Sequence, residues 1–167
     1  MESAKTKGQT IFSAQEGKNM TLTFTPTRPV PALPGASLLG LNASTLLELG
    51  AAVDQGFSPD ALERFARRLG FTLAETLSLI QLSESTYHSY RRKGRALSAD
   101  SSAHLYHLAR VTEVAEHYFG SVTDAHHWLV TSRMTFGNKT PLQFALLPGG
   151  AEYVNTVLSR LEHGVYT

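Results

Sequence analysis

The sequence has no cysteine and no long apolar run. Its 167 residues contain no cysteine, which excludes a disulfide framework and any metal site built on thiolates. No stretch approaches the roughly 20 apolar residues that a membrane-spanning helix needs, and the N-terminus has no secretory-signal pattern. We therefore expect a soluble cytoplasmic protein with no membrane partner.

The sequence also lacks an excess of one charge. Fifteen Lys and Arg residues stand against fourteen Asp and Glu residues, which gives a formal net charge of +1. A protein that bound nucleic acid over its whole surface would carry a clear basic excess. Any affinity for DNA must therefore come from a local cluster of cations.

Signatures of catalysis are missing as well. We find no Gly-rich phosphate loop, no nucleophile elbow and no HExxH pattern. Glu113 and Glu116 lie three residues apart on a predicted helix, and we interpret them as solvated charges rather than as catalytic groups. His104 and His107 share a helix face, but the sequence places no third ligand beside them. We expect a protein that is not an enzyme and that binds neither a metal nor a cofactor.

The first part of the chain is rich in Pro, Gly, Ser and Thr. Residues 1–35 show no sustained helical period. Segments of this composition cannot bury enough apolar surface to offset the entropy of ordering. We interpret residues 1–35 as a flexible N-terminal arm.

The rest of the sequence has helical spacing throughout, which predicts an all-α fold. A first helix should begin near Asn42 or Ser44. The predicted apolar stripe stops at Gly56 and holds Leu38, Leu39, Leu41, Leu46, Leu47, Leu49 and Val53. A second helix should start at Pro59, which suits the first helical position, and end at Gly70.

Two short amphipathic helices with a polar break between them follow from Thr72 to Gly94, TLAETLSLIQLSESTYHSYRRKG. Thr72 and Glu75 have the spacing of a capping box, and Ser83 can cap the second helix. This pattern predicts a helix-turn-helix, in which one helix braces the phosphate backbone and the next presents side chains to base edges. The predicted DNA-binding residues are Ser85, Thr86, His88, Ser89, Arg91, Arg92, Lys93 and Arg95.

The basic run from Arg91 to Arg95 supplies cations for phosphate contacts, so binding should weaken steeply with salt. The same cations also suit a solvated helix C-terminus, where they interact favourably with the negative end of the helix dipole. Glu84 opposes DNA binding, because phosphate repels a carboxylate that faces the groove. We therefore expect useful affinity only from a homodimer that reads two half-sites.

Further helices are predicted in the last third of the chain. A long helix should span 99–118, another should begin after Ser121 or Thr123, and a last one should span 150–162. The last helix is predicted to carry one apolar stripe that holds Tyr153, Val154, Val157, Leu158 and Leu161. Residues 164–167, GVYT, either dock on their own domain or enter a partner's pocket.

These segments, in this order, resemble the Xre/MbcA/ParS-type antitoxins, which are partners of RES-domain toxins in bacterial toxin–antitoxin operons. The resemblance spans about 43–167 and rests on TLAETLSLIQLSESTYHSYRRKGRALSADSSAHLYHLARV, EHYFGSVTDAHHWL and NKTPLQFALLPGGAEYVNTVLSRLEHGVYT. It implies an Xre-like helix-turn-helix DNA-binding domain over 36–98 and a small helical toxin-binding domain over 99–167. The arm at 1–35 lies outside the resemblance.

The resemblance implies an antitoxin of a type II toxin–antitoxin system. The C-terminal domain would bind a RES-domain toxin and obstruct the pocket where that toxin consumes NAD. The N-terminal domain would bind operator DNA in its own promoter, as a homodimer or as a higher toxin–antitoxin complex. The implied toxin-binding residues are Lys139, Thr140, Arg160, His163, Val165, Tyr166 and Thr167. The alternative is a stand-alone helix-turn-helix transcription regulator.

Overall fold

The computed structural model describes residues 32–162, and this part of the chain is all-α, as the sequence predicts. The helices are α1 Ala36–Leu39, α2 Leu46–Gln55, α3 Pro59–Leu69, α4 Leu73–Leu79, α5 Glu84–Lys93, α6 Ala99–Phe119, α7 Val122–Val130, α8 Pro141–Ala145 and α9 Gly150–Glu162. A 3-10 turn, Met134–Phe136, lies between α7 and α8. No helix in 32–162 is long and apolar enough to cross a membrane. Residues 1–31 of the predicted arm and 163–167 of the predicted tail lie outside the described residues.

Hydroxyl side chains start the helices at the predicted places. Ser58, Thr72 and Ser83 each accept a hydrogen bond from a backbone N–H in the first turn of the helix that follows. Thr72 and Glu75 complete the predicted capping box. Of the two caps considered for α7, Ser121 is the one used. These bonds satisfy N–H groups that have no partner inside their own helix.

The beginning of the helical region differs from the prediction. The helix expected near Asn42 or Ser44 begins at Leu46, because Thr45 and Glu48 form a capping box that fixes its start. The short helix α1 before it was not predicted, because four residues are too few to show a helical period.

The predicted apolar stripe of α2 is partly wrong. Leu49 is buried and Val53 is half-buried, but Leu46 and Leu47 are 77% and 85% exposed. Successive helical residues are rotated by about 100°, so Leu47 faces almost opposite to Leu49. Leu46 is the first residue of the helix. The outer face of α2 is therefore apolar at its start.

The longest helix, α6, is the centre of the fold. It contacts α1 and α2 on the N-terminal side of the chain and α7, α8 and α9 on the C-terminal side. Leu105, Leu108 and Val111 are fully buried along it. The helix-turn-helix and the C-terminal helices thus share one hydrophobic core through α6.

The end of the predicted arm packs on α6. The N–H of Leu33 donates to the carbonyl of Ala43 at 2.8 Å, and the N–H of Gly35 donates to the carboxylate of Glu113. Gly35 has a φ of +87°, and a Cβ at this position would lie 2.4 Å from the backbone nitrogen of Arg110. Only glycine fits such a position. Glu113, interpreted from the sequence as a solvated charge, instead holds the start of α1.

An aromatic row connects α7, the 3-10 turn, α8 and α9. Ring centroids lie 5.9 Å apart for Trp128 and Phe136, 5.3 Å for Phe136 and Phe144, and 5.4 Å for Phe144 and Tyr153. The guanidinium of Arg133 lies 5.4 Å from the centroid of the Trp128 ring, where the π electrons attract a cation. Tyr153, which the sequence places on the apolar stripe of α9, is 42% exposed.

Candidate nucleic-acid and partner interfaces

The helices α4 and α5 form the predicted helix-turn-helix. Leu77 and Ile80 at the end of α4 and Tyr87 on α5 are buried in the common core. Gln81 lies in the turn with a φ of 56°, and the N–H of Leu82 donates to the carbonyl of Leu77 at 2.9 Å. This left-handed residue allows the tight reversal that glycine often provides in such turns.

The predicted DNA-binding residues do not all present free polar groups. Ser85 and His88 are exposed, whereas Thr86 and Ser89 are half-buried. The hydroxyl of Ser83 lies 2.8 Å from that of Thr86 and 3.1 Å from that of Ser85, so these groups take part in capping α5. His88 and Ser89 are therefore the better placed of the four to contact a base edge, and that contact stays a prediction.

The cations of the basic run fall into two groups. Arg92, Lys93 and Arg95 are exposed and form no ion pair with residues of 32–162. Arg91 pairs with the carboxylate of Asp60 on α3, and its Nη1 also lies 3.3 Å from Oε1 of Glu63. The sequence alone treats these four cations as equivalent.

Glu63 also anchors a buried phenol. The hydroxyl of Tyr87 donates to Oε1 of Glu63 at 2.6 Å. Burial first, and the bond to this carboxylate second, raise the pKa of Tyr87 to about 12. The phenol therefore remains a neutral hydrogen-bond donor at neutral pH, and it joins α5 to α3.

A second ion pair joins α3 to α6. Nε and Nη2 of Arg68 lie 2.9 and 2.7 Å from the two carboxylate oxygens of Glu116. This bidentate contact raises the pKa of Arg68. Glu116, interpreted from the sequence as a solvated charge, is thus a structural partner of Arg68.

The structure describes three of the seven implied toxin-binding residues. Lys139 and Arg160 are exposed. Thr140 is half-buried, and its hydroxyl accepts the N–H of Gln143 at 3.1 Å as the cap of α8. The other implied residues, which lie outside the described part, are His163, Val165, Tyr166 and Thr167.

The C-terminal part of the structure also exposes large apolar side chains that no sequence pattern marks as exposed. Met134 is 89% exposed, and Val130, Leu147 and Tyr153 are between 38% and 42% exposed. Interfaces are enriched in Met and Tyr. Met134 lies in the 3-10 turn beside Gly137, where no helical period exists to mark its orientation.

A cleft of about 490 Å³ lies between α6 and the loop that leads into α9. His104 and His107 line it with Asp100 and Glu152. Burial lowers the pKa of His107, and the Glu152 carboxylate opposes this effect. Within 32–162, no three His, Cys, Asp or Glu side chains are grouped closely enough to hold a metal ion.

Comparison with known proteins gives two matches to family models. The antitoxin Xre-like helix-turn-helix domain matches residues 48–110, and the antitoxin Xre/MbcA/ParS C-terminal toxin-binding domain matches residues 114–164. Among characterised relatives, the protein named Antitoxin Xre from Pseudomonas putida is 27% identical over 117 residues, which are 70% of this chain and 72% of the relative. The two matched domains together cover about two thirds of the chain and meet inside α6. With its helix-turn-helix and its toxin-binding domain, the chain belongs to the Xre-type antitoxins of toxin–antitoxin systems.

Proposed function

We propose that this antitoxin neutralises a RES-domain toxin by covering the site where the toxin consumes NAD, and that it represses its own operon. The chain itself performs no chemistry in this scheme and acts by binding. The observation that carries the proposal is the order of the two matched domains, a helix-turn-helix followed by a toxin-binding domain.

The exposed cations support the operon-binding half of the proposal. Arg92, Lys93 and Arg95 cluster at and just after the end of α5, the helix that a helix-turn-helix places in the major groove. Phosphate contacts from such a cluster give most of the affinity and little of the sequence preference. A homodimer that binds two half-sites would supply the remaining affinity.

The exposed apolar side chains support the toxin-binding half. Met134 and Tyr153 belong to the part of the chain that matches the toxin-binding domain, and both leave apolar surface uncovered. Lys139 adds an exposed cation close to Met134 in sequence. Apolar anchors surrounded by polar groups are typical of protein interfaces.

Co-expression with the gene adjacent to this one tests the proposal directly. The expected result is a stable complex, with cells that keep growing and keep their NAD when both genes are induced. The toxin gene alone should arrest growth and deplete NAD. If the adjacent gene product is harmless and does not co-purify, the chain is a stand-alone regulator.

A point substitution tests the apolar anchor. Met134→Glu should weaken the complex by about 10-fold or more, because a charge replaces an interface anchor. Leu47→Glu is a matched control, since Leu47 is 85% exposed against 89% for Met134 but lies in α2. Titration calorimetry with the purified toxin measures both variants. Equal affinity for Met134→Glu and the wild type would place the interface elsewhere.

A further inference from the structure

The cluster formed by Asp60, Glu63, Tyr87 and Arg91 joins the recognition helix to α3, and we call it the α3–α5 clasp. Tyr87 and Arg91 lie four residues apart on α5, so they share one face. Asp60 and Glu63 lie three residues apart on α3 and share a face as well. Both side chains from α5 reach the same oxygen, Oε1 of Glu63, at 2.6 Å from the Tyr87 hydroxyl and 3.3 Å from Nη1 of Arg91.

We propose that Arg91 is a positioning residue that fixes the recognition helix through the α3–α5 clasp, and that it makes no phosphate contact. The inference rests on the proposed binding of promoter DNA. In this arrangement Arg92, Lys93 and Arg95 supply the phosphate contacts.

The charges of the clasp argue against a phosphate contact by Arg91. Two carboxylates, Asp60 and Glu63, face the guanidinium of Arg91, so these three groups together carry one negative charge. The exposed Arg67, whose Nη1 lies 3.8 Å from Oε2 of Glu63, offsets part of that charge on the side away from Oε1. A phosphate that approached Arg91 would meet both carboxylates. Moving the guanidinium to a phosphate would break its ion pair with Asp60, and only the difference between the two contacts would count as affinity.

The placement of the clasp explains how it orients the rest of α5. Tyr87 is 2% exposed, so its bond to Glu63 fixes the middle of the helix. Arg91 fixes the helix one turn later, near its C-terminal end. Two attachments on one face prevent α5 from rotating about its axis, and this rotation would carry His88 and Arg92 away from the groove.

Three alanine variants distinguish a positioning role from a phosphate contact. Affinity is measured by fluorescence anisotropy, at several salt concentrations, on a labelled duplex from the region upstream of the antitoxin's own gene. Arg92→Ala should lower the affinity and reduce the slope of log K against log salt by about 0.9, the value for one phosphate. Arg91→Ala should lower the affinity by roughly 3- to 10-fold and leave the slope unchanged.

Asp60→Ala distinguishes the two roles by the direction in which the affinity for DNA changes. Removing an acid near DNA strengthens binding when electrostatics alone acts, whereas loss of the clasp weakens it by about the same factor as Arg91→Ala. The double variant should be no weaker than the weaker single variant, because both break one unit. Asp54→Ala is the matched control for charge, since the Asp54 side chain is exposed on α2 and forms no ion pair within residues 32–162.

Tighter binding by Asp60→Ala, or a reduced salt slope for Arg91→Ala, would overturn the positioning role. Hydrogen exchange of the amides at 90–94 in the free protein separates this failure from that of the proposed function. Exchange should be faster in Arg91→Ala and Asp60→Ala than in Arg92→Ala. If the wild type does not bind its promoter duplex while this exchange pattern is observed, the proposed operon binding is wrong and the α3–α5 clasp is still supported. Unchanged exchange in all variants refutes the clasp.

Discussion

At the scale of single residues, two glycines in helical backbone differ in whether a Cβ would fit at their position. Gly150 starts α9, and a Cβ there would lie 1.9 Å from the carbonyl oxygen of Phe144. Gly50 lies inside α2, and a Cβ there would meet nothing within 4 Å. The first glycine permits close packing of α8 and α9, and the second only weakens its own helix.

Alanine at these two positions should change stability in opposite directions. Gly150→Ala should destabilise the protein by about 1–3 kcal/mol, because the backbone of Phe144 has to move. Gly50→Ala should stabilise it by about 0.5–1 kcal/mol, because alanine lowers the entropy of the unfolded chain at no steric cost. Urea unfolding followed by circular dichroism measures both. Similar midpoints for the two variants would contradict the packing described for Gly150.

At the scale of elements, the helix starts make the protein sensitive to acid. The Glu48 carboxylate accepts the N–H and hydroxyl of Ser44, and these bonds lower its pKa. The N–H and hydroxyl of Thr72 do the same for Glu75. A carboxylate whose pKa is lower in the folded state stabilises the fold above its unfolded pKa and loses this effect when it is protonated.

The contribution of Glu48 and Glu75 to stability should therefore be constant near neutral pH and should fall as the pH drops through 4.5, the ordinary value for glutamate, and below. Glu75→Gln should make this fall shallower, because glutamine keeps the capping box but does not titrate. Glu84→Gln is the control, since the Glu84 side chain makes no hydrogen bond within the described helices. Urea midpoints from about pH 6 to about pH 3 test the expectation. Parallel curves for Glu75→Gln and the wild type would refute it.

The sequence predicts helices well where a cap, a periodic stripe and a terminal glycine occur together. α3, α5 and α6 have all three features, and their observed bounds agree with the prediction. α8 and the turn at Met134–Phe136 are too short to show a helical period, although α8 begins with the local signals Thr140, Pro141 and Gln143. The start of α1 is held by a contact with the distant Glu113, which no local pattern predicts. The same reason hides the partners of charged groups. The local sequence places Arg91 on the face of Tyr87, which Arg92 does not share, but nothing in it shows that Arg91 pairs across 31 residues with Asp60.

At the scale of the whole molecule, the two functional halves are built on one helix. The matched domains meet between residues 110 and 114, inside α6. Across the predicted domain boundary at 98/99, the N–H of Phe57 donates to the buried hydroxyl of Ser102 at 2.8 Å. α1 and α2 pack on the same helix as α7, α8 and α9. The boundary at 98/99 stays a prediction, and the packing argues that the halves unfold together.

A core substitution in the helix-turn-helix domain should therefore lower the stability of the toxin-binding half as well. Leu62 on α3 is fully buried, so Leu62→Ala should cost about 2–5 kcal/mol. Trp128 on α7, the single tryptophan of the sequence, reports on the other half by its fluorescence. If the molecule unfolds as one unit, Leu62→Ala lowers the urea midpoint of the Trp128 signal as much as that of the circular dichroism signal. A Trp128 midpoint that stays at the wild-type value would mean that the halves unfold independently, and α6 would then have to break between them.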